Sequence, residues 1–282
     1  MNIAMNTLLF TAELTNEHFN LFKRFKEYGF NGVEIAFDSK EQCDFAAALS
    51  MLKDNGLVCS AVCGLLGENR DIRGPNREYV KTGIQYARDC IDICAVLECG
   101  LVAGPFYSAV GRANMESEKA RREQWLTAVS NFKEICKYAE DKGIYFAIEP
   151  LNRFETDFIN TCAQAREMIA DVDSPMLKIH LDTFHMNIEE KSTIQAILDA
   201  DDALYLLHAS ENDRGAPGTG QVPWEGIKDA LDKIDYDKWV TIESFTPDNK
   251  IIAKAASIWR QTEKDGFALA EKGAKYLKEL FS

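Results

Sequence analysis

The sequence predicts a closed (β/α)₈ TIM barrel, an α/β fold, as a single domain over residues 1–282. Three observations lead there. Eight short β-rich runs alternate with helical patterns from end to end. Most of the runs are near-continuously apolar, as parallel strands covered on both faces must be. The length of 282 residues is that of one barrel, and no Pro/Gly-rich linker or shift in composition divides it.

The predicted strands, in order, are NIAMNTLLF (2–10), GVEIAF (32–37), VCSAVC (58–63) and GLVAGPF (100–106), then IYFAIEP (144–150), LKIHLD (177–182), LYLLHA (204–209) and WVTIES (239–244). Within 76–98, Val80, Ile84, Ala87, Ile91 and Cys94 recur at alternating steps of four and three. Trp125, Val129, Phe132, Cys136 and Ala139 repeat those steps within 117–142, so each segment carries one buried helical stripe. Gly56 and Gly143 follow helical stretches, where a left-handed residue ends a helix. An open doubly wound sheet would carry a glycine-rich turn after its first strand, and none follows NIAMNTLLF. The one glycine-rich loop, GAPGTG (215–220), lacks the Lys-Ser/Thr ending of a nucleotide loop and reads as a mobile loop beside the site. The helical region at 250–281 either closes the barrel or lies at an interface.

Composition narrows the function. The chain is 46% hydrophobic and 27% charged, ordinary for a globular protein. Its formal charge of −13 lacks the basic footprint that phosphate backbones and anionic membranes require. A small neutral substrate, or one held by a metal, fits better. Eight cysteines in a chain this long do not make a disulfide scaffold. Cys59, Cys63, Cys90, Cys94 and Cys99 sit in apolar stretches and read as buried thiols, with Cys90 and Cys94 sharing a helix face. No Lys or Arg precedes Lys23, as a secretory signal would demand, and no apolar run reaches membrane-spanning length. The expected compartment is the cytoplasm.

The last four predicted strands end on polar groups. Glu149, Asp182, His208 and Glu243 each lie about one βα unit from the next. In a barrel these ends converge on the mouth where active sites are built. Three carboxylates and an imidazole cannot share that space as charges without a cation. An oxygen-rich set with one imidazole suits a hard divalent metal, Mn²⁺ or Mg²⁺, with Co²⁺ also possible through the imidazole. His180 lies inside the same run as Asp182 and reads as structural, and His18 as a solvated residue of the first helix.

EPLNRFETDFINT (149–161), LDTFHMNIEE (181–190) and HASENDRGAPGTGQVPW (208–224) resemble the motifs of the ketose 3-epimerases, the D-tagatose/D-psicose (D-allulose) 3-epimerase family of xylose-isomerase-like barrels. The resemblance implies a metal-dependent isomerase that inverts C3 of free ketoses through a cis-enediolate. It places the metal ligands on Glu149, Asp182, His208 and Glu243, with Glu149 and Glu243 as the acid/base pair. It places substrate-orienting groups on Glu155, His185 and Arg214, and the apolar wall of the sugar pocket on Cys63 and Phe245. It further implies a homodimer or homotetramer. Relatives carry aromatics in the first strand and a Trp after the fourth. Here those regions read NIAMNTLLF and GPFYSAVGR, with Phe106 and Tyr107 as partial substitutes. A related sugar isomerase on the same barrel, such as a hydroxypyruvate isomerase or an inosose-processing enzyme, is the alternative. A non-catalytic sugar-binding barrel would have lost one glutamate of the pair, and both are present.

Overall fold

The computed structural model describes residues 1–282. Its eight strands are β1 (Asn2–Asn6), β2 (Gly32–Ala36), β3 (Val58–Cys63), β4 (Leu101–Gly104), β5 (Tyr145–Ile148), β6 (Leu177–Asp182), β7 (Leu204–Ala209) and β8 (Trp239–Ile242). Each pairs in parallel with its sequence neighbour, and β1 also pairs with β8, which closes the barrel. The helices lie outside: α1 (Asn20–Tyr28), α2 (Phe45–Asp54), α3 (Arg77–Val96), α4 (Glu118–Lys142), α5 (Cys162–Val172), α6 (Thr183–Glu189), α7 (Thr193–Ala200), α8 (Trp224–Lys233), α9 (Lys250–Ala255) and α10 (Gly266–Leu280).

The helices start where side-chain oxygens can take up free amide groups. Asp44, Asn76, Ser117, Thr161, Ser192 and Asp265 each accept from a backbone N–H in the first turn that follows. α1 and α4 stop at Gly29 and Gly143 in the left-handed conformation. The predicted stripes of α3 and α4 face the strands: Ala87, Ile91 and Cys94, like Phe132, Cys136 and Ala139, are fully or almost fully buried. Cys59, Cys90, Cys94 and Cys99 are buried free thiols. Inside the barrel, Ala61, Leu101, Ala103, Ala147 and Leu206 form a separate small cluster. By strand alternation these share a face with Cys63 and His208 and floor the site.

Several expectations change. The first run is too long: β1 stops at Asn6, whose side chain accepts from Leu8 N and turns the chain into a 3₁₀ helix over Thr7–Leu9. β4 stops at Gly104, φ +137°, where a Cβ would collide with the Gly64 carbonyl. The backbone then turns Phe106 and Tyr107 inward. Phe106 stacks on Tyr86 and meets Phe146 edge-on, and Phe106 and Tyr107 are fully buried, so neither lines an outer sugar pocket. The GAPGTG loop is tethered: Glu211, fully buried, accepts from Gly218 N at 2.8 Å and from the Trp224 indole at 2.7 Å. α10 packs against β1, β8, α1 and α8, closing the barrel. His18 belongs to a 3₁₀ turn before α1, where its Nδ1 accepts from Thr15 N at 3.0 Å.

Candidate active site

The carboxyl ends of β5 to β8 bring the four strand-end residues together. Glu149 and Glu243 stand one residue beyond β5 and β8, Asp182 ends β6, and His208 faces Asp182 in the β6–β7 register. One ligand atom from each lies within 4.8 Å of the others, and all four residues are buried. The ring through Tyr107 fixes the Glu149 backbone: its hydroxyl lies 2.9 Å from Glu149 O and 3.0 Å from Ile159 O, and accepts from Leu151 N.

Arg214 enters this acidic group from the β7 loop, at φ +63°. Its backbone is held there by Arg214 N donating to Glu211 O and by Phe245 N donating to Arg214 O, each at 3.0 Å. Its Nη1 lies 2.5 Å from Asp182 Oδ2 and 3.1 Å from Glu243 Oε2. The guanidinium sits between the rings of Phe184 and Phe245, 4.1 and 5.0 Å from their centroids. A solvated loop arginine would have none of these partners.

His185 Nδ1 accepts from Asn152 N at 3.1 Å. Its Nε2 lies 3.2 Å from the Arg214 Nη2 donor, 3.7 Å from Glu149 Oε1 and 3.8 Å from Asp182 Oδ2. Burial, and then the Arg214 charge, hold its pKa well below the usual imidazole value, so the ring stands neutral. Asn152 also donates to Glu155 Oε1 at 2.7 Å, tying Glu155 to the same group. Arg153 pairs with Glu189, and Arg166 with the Asp199 carbonyl, so neither arginine engages Glu155. Cys63 ends β3, facing the carboxylates of Glu34, Glu243 and Glu149; burial and those charges push its thiol pKa well up. Phe245 is buried against Arg214.

Two site residues escape the sequence reading. Glu34, fully buried at β2, lies 2.9 and 3.1 Å from His208 Nε2 through its two oxygens. Asn6 Nδ2 donates to Glu34 Oε1 at 2.9 Å and to Glu243 Oε1 at 3.4 Å. The one signal was a lone carboxylate inside the apolar run GVEIAF. His180 is not a residue apart from the site: it is fully buried, 3.6 Å from Glu149 Oε2, with its ring edge-on to His208 at 3.9 Å. It shares an inward face with Asp182 two residues on, a parity the sequence did contain.

The charges are displaced in opposite directions. Burial, reinforced by the Glu243 charge, pushes the Glu149 carboxyl well up. Burial also raises Glu243, but the charges of His208 and Arg214, with His185, overcome it and bring the group down to about 2. Asp182 is raised to about 6, chiefly by burial, and His208 is held well above its ordinary value by Glu34 and Glu243 against burial. His208 Nδ1 is buried without a hydrogen-bond partner, 3.5 Å from Glu243 Oε2. A lone imidazole nitrogen aimed among three carboxylates is the donor set of a divalent cation, so these residues fit the metal that the strand ends suggested.

Comparison with known proteins agrees with the closed barrel. The pattern of the family described as "Xylose isomerase-like TIM barrel" matches residues 22–279. A ketose 3-epimerase from Arthrobacter globiformis is 31% identical over 99% of this chain and 96% of its own. An L-ribulose 3-epimerase from Methylomonas sp. (strain DH-1) is 31% identical over 90% of this chain and 88% of its own. Among solved structures, an L-ribulose 3-epimerase superposes with a TM-score of 0.93 at 27% identity, covering 100% of this chain and 95% of the other.

Proposed function

Because the chain belongs to the xylose isomerase-like TIM barrel family and, within it, to the ketose 3-epimerases, we propose that it inverts C3 of free ketoses with Glu149 and Glu243 as a two-base pair. The observation that carries the reading is their placement. The two carboxyls come from strands three apart and reach one buried centre. An inversion needs two such groups: one carboxylate takes the C3 proton, and the other, protonated, returns a proton to the opposite face. The reverse reaction exchanges the two roles.

Glu149, Asp182, His208 and Glu243 would hold the metal. When bound, a divalent ion, Mn²⁺ first and Co²⁺ or Mg²⁺ also suited, supplies the polarisation of the C2 carbonyl that makes C3–H acidic. The remaining work falls to side chains. Arg214 and His185 supply donors to the oxygen that gains charge in the cis-enediolate. Glu155, held by Asn152, orients a substrate hydroxyl, and Cys63 and Phe245 form apolar wall. On family analogy we extend the reading to a cytoplasmic homodimer or homotetramer. No helix is long and apolar enough to cross a membrane.

The test is C3 exchange. Metal-stripped protein, reloaded with Mn²⁺ and incubated in D₂O with a panel of ketoses, should deuterate C3 and form a C3 epimer, read by NMR. Glu149→Gln and Glu243→Gln should each abolish turnover, and near-normal epimerisation in either would end the two-base scheme. Absence of exchange with every ketose in the loaded protein would redirect the reading to the hydroxypyruvate or inosose branch.

A further inference from the structure

The side of His208 away from the carboxylate cluster carries a second device. Its Nε2 lies 2.9 and 3.1 Å from the two oxygens of Glu34, and both side chains are fully buried. The contact crosses the barrel, since β1 and β8 lie between β2 and β7 in the sheet. Asn6 on β1 donates one N–H to Glu34 and another, more weakly, to Glu243, so the Glu34 carboxylate is held from β1 as well. An ionised carboxylate only accepts, so the hydrogen between Glu34 and His208 must sit on Nε2. The other nitrogen, Nδ1, is the one without a partner, and it faces Glu243 Oε2 at 3.5 Å.

Resting on the metal-site reading above, we infer that Glu34 is a positioning residue for His208, keeping the proton on Nε2 and presenting the Nδ1 lone pair to the metal. A neutral imidazole in solution divides between two tautomers, and only one can ligate from this ring orientation. A buried anion behind the ring removes the wrong tautomer and makes the ligating nitrogen more basic, as carboxylate partners of metal-bound histidines do. Glu34 touches neither metal nor substrate in this scheme.

Two measurements test it. Wild-type protein labelled with ¹⁵N-histidine and loaded with ¹¹³Cd²⁺ should show cadmium coupling at His208 Nδ1 and a retained proton on Nε2; coupling at Nε2 overturns the inference. Glu34→Gln should lose about 10–100-fold in Mn²⁺ affinity by titration. Glu34→Asp, which keeps the charge on a shorter stem, should recover part of that loss. Equal Mn²⁺ affinity in wild type and folded Glu34→Gln overturns the inference alone, whereas a wild type that takes up no metal overturns the metal-site reading together with it. If Glu34→Gln does not fold, the cadmium spectrum of the wild type decides.

Discussion

Arg214→Met separates electrostatic from packing support at the mouth. In the metal-free protein the guanidinium is the cation nearest the acidic cluster, 2.5 Å from Asp182 and 3.1 Å from Glu243. Methionine keeps much of the stem and its contact with Phe184 and Phe245, while the charge is lost. Removing one partner of a buried ion pair costs about 3–5 kcal/mol, because the abandoned carboxylates stay desolvated. At about 2.1 cal/mol/K per residue, 282 residues have an unfolding entropy of about 0.6 kcal/mol/K, so the metal-free melting temperature should fall by about 5–8 °C. With saturating Mn²⁺ the same carboxylates have a divalent partner. The loss should shrink to about 2 kcal/mol, or about 3 °C, the residue of lost cation–π contact and hydrogen bonding. Thermal melts of wild type and variant, each with chelator and with Mn²⁺, give the double difference. An equal drop in both conditions would refute the view that Arg214 and the metal neutralise the same charges.

Three further outcomes follow from named contacts. Metal binding should release protons, because Glu149, Asp182 and His208 all have raised pKa values in the metal-free protein and must be deprotonated to ligate. Affinity should therefore rise with pH through the range around pH 6, about tenfold per unit for each proton released; calorimetry in buffers of different ionisation enthalpy would show no buffer dependence if this is wrong. Tyr107→Phe takes the hydroxyl donor from the buried Glu149 carbonyl, while Leu151 N–H keeps the Ile159 carbonyl as acceptor, and should cost about 1–3 kcal/mol in chemical denaturation. Glu211→Ala frees Gly218 N and the Trp224 indole, so residues 215–220 should gain amide exchange and protease sensitivity while epimerisation falls through misplacement of Arg214.

Much of the architecture was legible because it is periodic. Every strand lay within its apolar run, and α3 and α4 within their four-three stripes, since burial on a barrel is repeated at each βα unit. The four strand ends were legible for the same reason: a polar residue ending an apolar run has one place to go. What escaped was set by neighbours far apart in sequence. Glu34 meets His208 only because β2 and β7 share a lumen, and nothing local to GVEIAF specifies that partner. The overlong first and fourth runs were apolar through Phe10 and Phe106, but Asn6 and Gly104 end their strands by backbone geometry that hydrophobicity does not record. The glycine-rich loop looked free because its tether, Glu211, precedes it by a few residues and resembles any loop carboxylate.

The alanine floor also constrains redesign. Leu206 lies level with His180 in the β6–β7 register and packs with Ala61, Ala103 and Ala147. Cavity-filling substitutions, a usual route to heat-resistant barrels, would add methylenes directly under the two imidazoles. Ala147→Val or Ala103→Val would add bulk to the layer beneath Glu149, exchanging site geometry for packing. Thermostabilising changes belong on the outer layer between strands and helices, where volume can grow without reaching the mouth.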